Sequence, residues 1–117
     1  MEPFQVHAIL NSLALLSFLA GAYQAKKHDL KRHHLFVYSA VGLLTLGVAY
    51  MLYTIGGVPS SHGKLGLFVY LYVLFAATSG KLFLGRKLKR EQHRLIAITA
   101  VLLLALQILF GLYLYVL

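Results

Sequence analysis

Four long apolar runs constrain this chain more than any other feature: residues 4–25, 35–55, 65–84 and 95–117. Each is close to the ~20 residues that carry a helix across the hydrocarbon of a bilayer. The only charge inside them is Lys81, near the end of the third run, where a long side chain snorkels to the headgroups. The connectors 26–34, 56–64 and 85–94 are short, so consecutive helices run antiparallel. The expected architecture is therefore an all-α integral membrane bundle, four helices up-down-up-down, filling residues 1–117 as one domain. Gly56-Gly57-Val58-Pro59 supplies a break between the second and third runs, because Gly and Pro end helices. Composition agrees: 60% of residues are hydrophobic and 12% charged, against about 45–50% and about 25% in soluble domains. Function then has to reside inside the bundle or on its rims.

Lysine and arginine orient the bundle. The two connectors on one side, with the adjoining helix ends, hold Lys26, Lys27, Lys31, Arg32, Lys81, Arg86, Lys87, Lys89, Arg90 and Arg94; the other side holds Lys64 alone. That asymmetry predicts a multi-pass protein of the cell membrane with the basic connectors cytoplasmic and both termini outside. The basic end is called inner and the other outer below. No cleaved signal peptide is expected, since Glu2 and no basic residue precedes the first run. Tyr23, Tyr50, Tyr53, Tyr113 and Tyr115 fall near run ends, as an interfacial aromatic belt requires.

A chain this apolar that keeps six histidines needs a reason for them. Five lie just before or at the start of a run: His7, His33, His34, His62 and His93. Because helices alternate in direction, His7 and His62 belong to the outer end, and His33 or His34 with His93 to the inner end. The pairs thus come from alternate helices, which face each other across a four-helix core. The residues beneath each histidine on its own helical face are small or polar. Below His7 come Asn11, Ala14 and Gly21, and below His33 come Val37, Ala40 and Gly47. Below His62 come Gly66, Val69, Ala76 and then Gly80; below His93 come Ala97, Ala100, Gln107 and then Gly111. The face of His34 is bulkier, with Tyr38, Val41 and Val48, which favours His33 and keeps His34 as the alternate inner ligand. Small residues could admit a flat macrocycle, with Gly21 and Gly47 letting it approach the backbone, but they also line ordinary transmembrane helix contacts. His28 sits in a polar connector and is expected to be solvated.

With no Cys, thiolate ligands and covalent haem attachment are excluded. Two histidines are too few for structural zinc, and the three acids Glu2, Asp29 and Glu91 lie on the rims, away from any carboxylate-assisted iron centre. Two imidazoles do suit haem iron, whose porphyrin fills the equatorial positions. The reading is two b-type haems per chain, His7 and His62 on the outer iron, His33 and His93 on the inner. Both axial positions are then filled, which leaves electron transfer rather than oxygen chemistry. Asn11 and Gln107 are candidates for hydrogen bonds to the outer ligands, or for interhelical bonding of their own.

His7-Ala8, Lys31-Arg32-His33-His34, Ser61-His62-Gly63 and Gln92-His93, each opening a helix, resemble the core of the cytochrome b561 family. The resemblance spans essentially the whole chain and implies an oxidoreductase passing electrons across a membrane. In that family the donor is often cytoplasmic ascorbate, and the acceptor an outer monodehydroascorbate or ferric ion. The family usually has six helices, so the resemblance implies a minimal core, with a homodimer as one way to shield its haems. An ascorbate-like anion at the basic rim or a quinol from the lipid are the donors considered, with an acceptor outside and no nucleic acid. The basic rim also satisfies topology alone. A second resemblance is to a four-helix bacterial family tied to terminal oxidase assembly. It rests on His7-Ala8-Ile9-Leu10-Asn11, Ser61-His62 and His93-Arg94, and implies a haem- or copper-handling factor instead.

Overall fold

The computed structural model describes residues 3–55 and 61–115, without the side chains of Ile55, Ser61 and Tyr115. Expectations that rest on Glu2, on Gly56-Gly57-Val58-Pro59, or on the Ser61 and Tyr115 side chains lie outside those residues. The described residues form four helices: α1 Pro3–Lys26, α2 Leu30–Ile55, α3 Ser61–Leu84 and α4 Arg90–Tyr115. All four are long and apolar enough to cross a membrane.

α2, α3 and α4 begin several residues ahead of the apolar runs, because hydropathy marks what lipid accepts and not where hydrogen bonding starts. Asp29 caps α2, its Oδ1 accepting the Arg32 N–H at 3.1 Å. The Gln92 Oε1 reaches back to accept the Lys89 N–H at 2.9 Å ahead of α4, half of a capping box. His33, His34 and His93 consequently ride on the first turns of helices.

α1 and α3 end in the same way. His28 N–H bonds the Ala25 carbonyl at 3.0 Å and Asp29 N–H the Gln24 carbonyl at 2.9 Å; Arg86 and Lys87 repeat this onto Phe83 and Leu82 at 3.0 and 2.8 Å. His28 and Arg86 both stand at φ 61°, the left-handed position that glycine usually fills in this helix stop. His28 is exposed there, as expected of it.

The helices pack as two hairpins. α1 lies along α2 and α3 along α4, while α1–α4 and α2–α3 meet less extensively. The described backbones of α1 and α3, and of α2 and α4, do not touch, so these are the diagonals of the bundle. The described residues extend over 41 × 23 × 22 Å, long enough to span a hydrocarbon layer of about 30 Å.

Burial is arranged as lipid dictates, with no gain from hiding leucine. The core holds Ala14, Ala40, Ala76 and Ala100 with Leu44, Val69, Val73 and Leu104, whereas Leu16, Leu95 and Leu102 point outward. Small residues let backbones approach and dispersion replace the hydrophobic drive. Two hydroxyls add polar ties: Ser17 Oγ donates to the Phe36 carbonyl at 2.6 Å, and Thr45 Oγ1 bonds the Tyr70 hydroxyl at 2.9 Å between α2 and α3. Tyr23, Tyr53 and Tyr113 are exposed at helix ends, with the Lys27 ammonium 4.6 Å over the Tyr23 ring. Tyr50 is half-buried.

Candidate functional site

The faces drawn beneath His7, His33, His62 and His93 hold most of the buried positions. Asn11, Ala14 and Gly21 are the buried residues of α1. Ala40 and Gly47 are buried in α2, Val69 and Ala76 in α3, Ala100 and Gln107 in α4. The face of His34 is not: Tyr38 is exposed, and the His34 ring stacks on it at 5.9 Å. His33 is the one that reaches a neighbouring helix.

In the α1–α2 hairpin two histidines cross reciprocally. His7 Nδ1 bonds the Gly47 carbonyl of α2 at 2.9 Å, and His33 Nδ1 bonds the Gly21 carbonyl of α1 at 2.8 Å. Both pairs are equidistant from Lys27 along the chain, the register of an antiparallel hairpin. A carbonyl only accepts, so each ring carries its proton on Nδ1 when neutral, and Nε2 keeps the lone pair. Asn11, one turn below His7, donates its amide N–H to that Nε2 at 3.1 Å.

The α3–α4 hairpin repeats the arrangement about a point between Arg86 and Lys87. A Cβ on Gly111 would stand 2.9 Å from His62 Cε1, one on Gly80 3.4 Å from His93 Cε1, and one on Gly66 2.7 Å from Gln107 Nε2. Each glycine thus clears room for the polar group opposite. Ser79 Oγ donates to the Ala76 carbonyl at 2.5 Å, so it receives the His93 Nδ1–H at 2.7 Å. His62 differs. The Gln107 amide nitrogen donates both to the His62 carbonyl at 2.7 Å and to His62 Nδ1 at 3.0 Å, which puts the neutral ring's proton on Nε2. Phe110 meets the His62 ring edge-on at 5.4 Å, and Phe83 lies parallel to the His93 ring at 5.8 Å.

Across the hairpins, His62 stands at the same end of the bundle as His7, and His93 at the same end as His33. Each end of the bundle therefore holds one imidazole from each hairpin. Among the described residues no three His, Cys, Asp or Glu converge, so a bare ion finds at most two such side chains. A porphyrin iron needs only two, and the fixed Nδ1–H groups of His7, His33 and His93 are what ligating histidines require of their second nitrogen. In number and residue type the imidazoles suit a haem iron, and in hydrogen bonding the inner pair, His33 and His93, is the one already arranged for it.

Gly21 and Gly47 lie in the α1–α2 contact. The space beside Gly21 is taken by Val37 and Phe36 of α2, with a Cβ there 3.1 Å from Val37 Cγ2, and the space beside Gly47 by Asn11 Oδ1. These glycines bring α1 and α2 close enough for His33 and His7 to reach their carbonyls. Ser79 was not singled out from the sequence. Its signal was its position, seven residues before Arg86 as His93 is seven after. No family model matches this chain, nor does any curated protein or solved structure.

Proposed function

We propose that the chain is a di-haem b-type membrane cytochrome that relays single electrons between the two faces of a cell membrane. His7 with His62 holds the outer haem, and His33 with His93 the inner. The observation that carries this reading is the pairing itself: at each end, one imidazole from each hairpin, on helices that face across the core. Haem, when bound, supplies the one-electron iron couple.

The chain's own residues do the rest. Gly47, Gly21 and Ser79 accept the Nδ1–H groups and fix ring orientation, so Nε2 is the nitrogen left to bind iron at His33 and His93. With two imidazoles per iron no coordination position stays open, which excludes oxygen and directs the site to electron transfer. The core of Ala14, Leu44, Val73, Ala100 and Leu104 keeps water out between the levels. His7 and Gly21 are fourteen residues apart, so the outer level and the His33 level lie about 21 Å apart along the axis. The basic inner rim draws an anionic donor, or a quinol reduces the inner haem from the lipid; the acceptor is outside.

Vesicles loaded with ferricyanide and carrying the haem-loaded chain test this. External dithionite should reduce the trapped ferricyanide with the intact chain, and at the protein-free rate when His7 or His93 is alanine. Haem-loaded chain that leaves the trapped oxidant untouched overturns the reading.

A further inference from the structure

We infer that Asn11 and Gln107 are positioning residues that make the outer pair the weaker, later-filling of the two haem sites. The inference rests on the di-haem reading. Both side chains are 8% exposed, and among the described residues the buried carbonyl oxygens Asn11 Oδ1 and Gln107 Oε1 have no hydrogen-bond partner. Two amides held with one end satisfied and the other orphaned are poised for a second arrangement, since an unpaired buried polar atom is costly.

The imidazoles show what that arrangement is. The Asn11 amide N–H occupies the His7 Nε2 lone pair, the electrons an iron would need. Coordination there requires the amide to turn away. Gln107 donates to His62 Nδ1, which leaves the single ring proton on Nε2. For His62 Nε2 to bind iron, that proton must leave Nε2 and Nδ1 must carry one instead. If the Gln107 amide turns over, its orphaned Oε1 accepts the new Nδ1–H, while its bond to the His62 carbonyl is given up. At the inner end no ring hydrogen bond has to change: Gly21 O and Ser79 Oγ already accept the Nδ1–H groups of His33 and His93. The inner pair is preorganised and the outer pair gives up existing hydrogen bonds on loading.

Hemin titrated into detergent-solubilised apo-chain measures this directly. In wild type, uptake should occur in two phases, and His7→Ala should abolish the second. With one site left per chain, half-saturation of His93→Ala (outer site) should need about 10-fold more hemin than His7→Ala (inner site), the cost of roughly one buried hydrogen bond. Asn11→Ala in the His93→Ala background should tighten uptake by about 3-fold or more, because the lone pair is released. A merely structural asparagine would weaken uptake instead. Equal affinities, a tighter outer site, or weaker uptake on Asn11→Ala overturn the inference and leave the di-haem reading standing. Absence of uptake by wild type removes both.

Discussion

At the inner end, His33 and His93 give their Nδ1–H groups to oxygen atoms, a backbone carbonyl and a serine hydroxyl. At the outer end, His7 does the same with Gly47, but two buried amides donate to ring nitrogens, Asn11 to His7 Nε2 and Gln107 to His62 Nδ1. The residue types and the hairpin register are alike at both ends. What differs is whether the group beside the imidazole accepts or donates, and that decides which ring nitrogen carries a lone pair. Identical imidazoles placed in opposite hydrogen-bonding company differ in how ready each ring nitrogen is to coordinate.

The largest effect should come from removing the acceptor that prepares the inner pair. Ser79→Ala should weaken inner haem binding by about 10–100-fold, the usual consequence of deleting the partner of a ligating histidine. Outer binding should stay constant, read by hemin titration in the single-site variants. Equal losses at both ends would dissolve the contrast. Next comes the pair of glycines that seat the α3–α4 histidines. Gly111→Ala places a Cβ 2.9 Å from His62 Cε1 and forces the ring to turn, whereas Gly80→Ala makes ordinary contact with His93 at 3.4 Å. Outer affinity should fall about 10-fold in the first, from a ring driven off its rotamer, and inner affinity should change less than about 2-fold in the second.

Smaller still is the tie between the hairpins. Tyr70→Phe removes the bond to Thr45 and should cost about 0.6 kcal/mol, typical of a side-chain hydrogen bond in a membrane bundle. Steric-trap or denaturant unfolding would read it, with both haems retained. His34→Ala should be the quietest, with both haems kept and stability changed by less than about 0.5 kcal/mol. Loss of the inner haem in that variant would exchange the roles of His33 and His34.

The four helices and the inward faces were legible because lipid imposes two simple rules, apolar length and small residues at helix contacts. Asn11 was found because it sits one turn below His7, a distance set by the helix alone. Ser79 and the work of Gly21, Gly47, Gly66, Gly80 and Gly111 were not, because they depend on the stagger between neighbouring helices. That stagger is set by the left-handed stops at His28 and Arg86, where two non-glycine residues hide the usual sequence sign of a helix end. Helix starts were missed for a related reason: Asp29 and Gln92 cap inside charged segments that hydropathy scores as connector.

The central claim is that histidines from opposite hairpins pair at each end of the bundle to hold one haem apiece. Haem counted per chain by pyridine hemochrome, in wild type and in His7→Ala, His62→Ala, His33→Ala and His93→Ala, tests it most directly. The expected counts are two in wild type and one in every variant, with His7→Ala and His62→Ala losing the same reduced spectral component and His33→Ala and His93→Ala the other. A wild-type chain that stays haem-free when expressed with haem precursor, or variants whose losses pair His7 with His33, would contradict it.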